Sequence, residues 1–151
     1  MSPRLGQNGV IAWVPLFDQA LTAQNDDWLE REIVNRNLLH SQESYTTKTG
    51  KHAWRNVNIA FSAQVLAQGE FNRFYLRGLC VRGLDEGADH LIVYRARQST
   101  MPRPESEAKI GSKVNIASLL PILRRNDFVS IEKSVFAIPS GPNSGLSARL
   151  P

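Results

Sequence analysis

Glu107 and Lys109 stand two positions apart in "ESEAK", downstream of Asp85 and Asp89. Carboxylates of this kind can share a Mg²⁺, and a lysine beside them can stabilise the charge that develops on a phosphoryl group, as a nuclease requires. Such groups need a rigid strand in a core. These follow "MPRP" in a polar segment, where Glu107 serves equally as an acid near the positive end of a helix dipole. Gly50-Lys51 lacks the first glycine of a phosphate-binding loop and is followed by His52. Ser144 has glycines around it at the wrong spacing for a hydrolase elbow. His40, His52 and His90 are far apart, with no metal-binding spacing. Cys80 is the only cysteine, so no internal disulfide forms. The residues lean away from an enzyme: no catalytic residue, metal ligand or cofactor is expected.

Binding chemistry is better represented. Residues 71 to 103 hold six arginines (73, 77, 82, 95, 97 and 103) against three acids, Asp85, Glu86 and Asp89, and no lysine. Arginine suits bidentate contact with phosphate or carboxylate and tolerates interfaces better than lysine. On a helix over "GEFNRFYLRGLCVRGL", Phe71, Phe74, Tyr75, Gly78, Leu79 and Val81 gather on one face. Arg73 and Arg77 fall one turn apart on the opposite face, and Arg82 returns among the apolar residues. In "HLIVYRARQ", Arg95 and Arg97 project from one strand face, and Arg103 follows in a loop. Arg73, Arg77, Arg95, Arg97 and Arg103 are therefore the expected nucleic-acid or partner-binding residues. The plainer reading of the same helix is a half-buried core element with arginines at its margins.

Several elements must position these groups. "VIAWVPLF" (10–17) reads as a strand entering a turn, with Pro15 at an edge. "NDDWLEREIVNRNLLH" (25–40) reads as a helix capped by Asn25 or Asp26. "SYTTKTGKHAWRNVNIAF" (44–61) reads as a β-hairpin turning at Thr49-Gly50, with Trp54 and Asn56 on one face and Arg55 on the other. A helix capped by Ser62 follows to about Leu84, broken in two at Gly69 and stopped at Gly87. A strand over 90–97, a loop, a short helix over 115–127 capped by Asn115, and a last strand over 128–138 complete the pattern. The fold class is α+β: one domain over 1–138 with a mixed or antiparallel sheet and two to three helices, then an extended tail over 139–151.

The chain has 151 residues, 42% hydrophobic and 21% charged, with a formal charge of +4. This is the composition of a globular protein with a mild preference for polyanions. The N-terminus lacks a basic start before a long apolar stretch, and no apolar run approaches the ~20 residues of a membrane span. A cytoplasmic protein without membrane contact is expected.

The string "GEFNRFYLRG…VYRAR…PRPESE…IG…GPNSGLS" resembles proteins of bacteriophage or prophage origin over residues 69 to 149. The resemblance assigns no residue a role. It implies a virion or other phage structural component, and a virion location if phage-encoded. The expected function is a non-enzymatic assembly protein that forms a homo-oligomer or joins other structural proteins through its arginines and extended ends. The alternative is a small, sequence-independent nucleic-acid-binding protein, and a metal-dependent nuclease ranks third.

Overall fold

The computed structural model describes residue 2 and residues 4–98, 104–125 and 145–151. The chain is α+β with antiparallel sheets, and it divides into two compact units, Met1–Gln68 and Gly69–Pro151. The described residues hold five helices, not two or three.

The first unit opens with α1 (Gln7–Ala23) and α2 (Asp26–Asn35). The expected strand at 10–17 is thus helical. Trp13, Leu16, Phe17 and Ala20 recur at helical spacing and are all buried, and this burial outweighs the strand preference of Val10, Ile11 and Val14. Trp13 and Phe17 stack with ring centroids 5.4 Å apart. Pro15 sits inside the helix on its exposed side, where solvent can reach the carbonyl its missing N–H leaves behind.

Asn25 caps α2, its side chain accepting from the Trp28 N–H at 2.8 Å. Asn37, at φ 51°, ends it: the Leu38 N–H returns to the Ile33 carbonyl and the Asn37 N–H to that of Val34. The chain then runs past its own start. Leu5 and Leu39 form an antiparallel bridge, Gly6 N–H bonds the Leu38 carbonyl, and His40 N–H bonds that of Arg4. Strands β1 (Gln42–Thr46) and β2 (His52–Asn56) follow as a two-stranded antiparallel hairpin. Its second arm ends at Asn56, short of residue 61.

Helix α3 (Ile59–Asp85) begins in the first unit and continues into the second without a break at Gly69. Its cap is Asn58, whose side chain accepts from Phe61 N–H at 3.1 Å; Ser62 lies inside the helix and is buried. Gly87, at φ 77°, terminates it.

The second unit is built on β3 (His90–Arg95), β4 (Lys113–Asn115) and β5 (Leu146–Arg149), in the order β4-β3-β5 and antiparallel throughout. α4 (Pro104–Glu107) is a single turn, and α5 (Ile116–Arg124) is capped by Asn115. Leu76, Cys80, Leu91, Val93, Ile116, Leu119, Leu146 and Ala148 form its core. The end of the expected tail is therefore a sheet strand buried on both faces: Leu146 and Ala148 are inside on one, Ser147 on the other. The expected strand at 128–138 lies outside the described residues.

Candidate functional site

The arginines singled out by sequence serve mostly internal contacts. The buried stripe of α3 is Ala67, Glu70, Arg73, Leu76 and Cys80, at intervals of three or four. Arg73 therefore lies inside, not on an open face, and its guanidinium is paired with Glu70 one turn earlier. Both side chains are 7% exposed. Burial raises the Glu70 pKa and wins over the nearby Arg73 charge, which pulls it down. The aromatic residues assigned to the packed face are only half-buried, or exposed in the case of Tyr75. Arg82, expected near that face, is exposed and pairs with Glu86 at 2.7 Å.

Arg77 reaches α5. Its Nε donates to the Leu123 carbonyl at 2.7 Å, and its guanidinium lies 4.6 Å from the centre of the Phe74 ring. The carbonyl belongs to the last turn of α5, where a cation is favoured by the helix dipole. Arg95 is paired with Glu107, so the acid proposed for metal chemistry is an arginine's partner. Arg97 is exposed, and Arg103 lies outside the described residues. Cys80 is fully buried, and burial pushes its thiol up to about 11, out of thiolate chemistry at neutral pH. Among the described residues no three His, Cys, Asp or Glu side chains gather to hold a metal ion, and no helix is long and apolar enough to cross a membrane.

The hairpin of the first unit is different in kind. Nearly all of its residues are exposed, on both faces. Register places Gln42 opposite Asn56, Ser44 opposite Trp54 and Thr46 opposite His52, so these six share one face. Trp54 is 71% exposed at its centre. At one end of this face the Gln42 Nε2 donates to the Asn56 Oδ1 at 3.1 Å. Every neighbour of the indole on the face carries a hydrogen-bonding group.

The opposite face carries charge. Glu43 accepts from Arg4 Nε at 2.8 Å and from Arg55 Nε at 2.8 Å. The Arg4 hydrogen bond, then that of Arg55, holds the Glu43 carboxyl below the ordinary glutamate range. Two guanidiniums on one carboxylate leave a net positive charge. Arg4 also donates to the buried Ser62 Oγ at 3.2 Å, which ties the ribbon to α3. Arg55 lies 5.4 Å from the centre of the Tyr45 ring.

The tip is a tight loop. Gly50 N–H bonds the Thr47 carbonyl at 3.0 Å, Gly50 has φ 79°, and Lys51 N–H bonds the Thr47 Oγ1 at 3.0 Å. Lys48 and Lys51 are thereby held at the exposed end. An isolated two-stranded ribbon is only marginally stable in water. Here the ionic cluster at its base and the threonine network at its tip supply the support that a third strand would give.

Arg4, Tyr45, Lys48, Lys51, Trp54 and Arg55 were not singled out as binding residues by sequence. One signal was available: the chain from Ser44 to Gly69 contains no Asp or Glu. Beside Trp54 lies a cleft of about 670 Å³, bounded by Ser2, Arg4, His40, Gln42, Glu43, Ser44 and Val57, with the Glu43 carboxylate neutralised there by Arg4 and Arg55. No protein family, curated protein or solved structure matches this chain.

Proposed function

We propose that the protein is a non-enzymatic nucleic-acid-binding protein whose contact surface is the β1–β2 hairpin. The observation that carries this reading is Trp54, 71% exposed in the middle of a face whose other side chains are all polar. A surface meant to be covered by protein would cluster apolar residues around such an anchor. A surface that stacks on a base and hydrogen-bonds to its edges needs an aromatic body among polar groups, with cations within reach of phosphate. Lys48 and Lys51 at the tip and the Arg4–Glu43–Arg55 cluster at the base supply those cations.

Backbone amide NMR shifts, followed as an oligonucleotide is added, test the assignment. Shifts concentrated over residues 42–56 support it. Shifts confined to the second unit, around Arg95 and Arg97, move the interface there and end it.

A second reading is favoured by a separate observation. α1 exposes Val10, Ile11, Val14 and Leu21, with Ile11 at 72% and Val14 at 68%. An apolar stripe at helical spacing is a feature of self-associating proteins. It supports an assembly role, and the resemblance to phage proteins points the same way. Light scattering of the wild type and of Ile11→Glu/Val14→Glu tests it: a monomer in both cases ends this reading without touching the first.

A further inference from the structure

We infer that the cleft beside Trp54 is a single-nucleotide subsite, and that the preferred ligand is therefore single-stranded nucleic acid. This rests on the reading of the hairpin as a nucleic-acid interface and specifies its ligand.

The indole decides between strand forms. In a duplex, the flat faces of the bases are already covered by their neighbours. A ribbon entering a groove meets only base edges, and tryptophan offers an edge a single N–H donor and no acceptor. Trp54 presents the opposite property, a large exposed ring with only the small Ser44 across the ladder from it. Stacking on an unpaired base uses that ring fully, and every base has a face to offer, so little sequence preference follows.

The cleft walls fit the rest of a nucleotide. Val57 adds an apolar patch to the wall of the cleft. The Gln42 amide is oriented by its bond to Asn56, which leaves its Oε1 for a base edge, and Ser44 brings a hydroxyl that can donate or accept. His40 lies at the same cleft, on a segment held to Arg4 by the His40 N–H to Arg4 carbonyl bond, and its ring N–H suits a phosphate. Arg4, already bonded to Glu43 and Ser62, adds only the net positive charge of its cluster with Glu43 and Arg55. The volume, about 670 Å³, falls inside the roughly 300–1,000 Å³ of small-ligand sites. Beyond the subsite, Lys48 and Lys51 are placed for the phosphates of the nucleotides that follow toward the tip.

The test uses the full chain with labelled oligodeoxyuridylate, oligouridylate and a duplex of equal length, titrated by fluorescence anisotropy at several salt concentrations. A single strand binding more tightly than the duplex supports the subsite, and oligodeoxyuridylate beside oligouridylate, which share a base, shows which sugar is preferred. Trp54→Ala is expected to weaken single-strand binding about tenfold or more, and Trp54→Phe to keep most of the affinity. Because Trp54 is exposed, neither change is expected to lower the melting temperature. Lys48→Ala/Lys51→Ala is expected to flatten the slope of log K against log salt by about 1.4 on a single strand. If duplex and single strand bind equally and Trp54→Ala changes nothing while the lysine pair still matters, the subsite is wrong and the interface stands. If no probe binds, or binding survives loss of both Trp54 and the two lysines, the interface fails as well.

Discussion

Gly9 lies so close to the carbonyl oxygen of Leu38 that a Cβ on Gly9 would stand 2.2 Å from it. The first turns of α1 and the segment leading into the hairpin are in backbone contact there, and the same segment carries His40 and bonds Arg4. Gly9→Ala forces the two backbones apart. It is expected to destabilise the first unit by about 1–3 kcal/mol, the range for overpacked cores, and to weaken oligonucleotide binding by displacing Arg4. Urea unfolding followed by Trp fluorescence measures the first effect. An unchanged midpoint would show that the backbones are not in contact.

Arg77 and Arg95 test whether the second unit holds binding arginines or structural ones. Arg77→Met removes the cation that bonds the Leu123 carbonyl, at an expected cost of about 1.5–3 kcal/mol. Arg95→Met removes the partner of Glu107 and is expected to cost less, since that pair is partly exposed. Neither should alter the salt dependence of nucleic-acid binding. A slope flattened by about 0.7 to 0.9 in either variant would make that arginine a phosphate contact.

The Glu70–Arg73 pair lies in the buried stripe of α3. Removing one partner leaves a buried charge, so Glu70→Leu and Arg73→Met are each expected to cost about 3–5 kcal/mol. The double replacement should cost much less than their sum, because a buried ion pair and well-packed apolar groups are often equivalent. Denaturant melts of the four proteins close the cycle. Additive losses would mean that the two side chains do not interact.

Glu43 gives the hairpin a pH dependence of defined sign. Its carboxyl is held below the ordinary range by Arg4 and then Arg55, so the folded hairpin favours the ionised form. That contribution is fully present above the ordinary glutamate pKa and is lost as pH falls through the lowered one. Hydrogen exchange of the β1 and β2 amides, corrected for intrinsic rates, should show faster opening over that acid window. Glu43→Gln should abolish the change. Protection that is flat through the window in the wild type would remove Glu43 as the support of the ribbon.

Deleting residues 145–151 tests the role of β5. The deletion removes Leu146 and Ala148 from the core, leaves one edge of β3 without its partner, and takes away the Leu146 carbonyl and Ser147 hydroxyl that bond Asn72. Buried leucine alone contributes about 1.5–3 kcal/mol, so the second unit should lose cooperative unfolding. Retention of a cooperative transition would mean that the segment is a dispensable tail.

Local signals in the sequence identify some of this architecture and miss the rest. Asn25, Asn115 and Gly87 announce helix ends through their own chemistry, and Thr49-Gly50 announces the hairpin turn. α1 is obscure because Val10, Ile11, Val14 and Pro15, all on its exposed side, speak for a strand, while the deciding residues are those it buries. The short run "LSAR" becomes a strand only by pairing with β3, a partner some fifty residues earlier. Arginine density drew attention to the second unit. Yet density does not separate a guanidinium that bonds a carbonyl or a carboxylate from one offered to solvent. At the hairpin, the alternation of Trp54 and Arg55 was legible, but not that both faces would stay uncovered.

The strand order β4-β3-β5 also bears on how the protein is made. β3, with Leu91, Ile92, Val93 and Tyr94 in succession, leaves the ribosome before either of its neighbours. At about 5–20 residues per second, roughly 3–10 s pass before β5 is synthesised. Throughout that interval a central, apolar strand has an open edge able to pair with another nascent chain. Asp89 and Arg95 bracket the apolar run, the placement expected of gatekeepers against such pairing. Expression yield and inclusion-body formation should therefore respond more sharply to neutral substitutions at these two positions than the stability of the finished fold does.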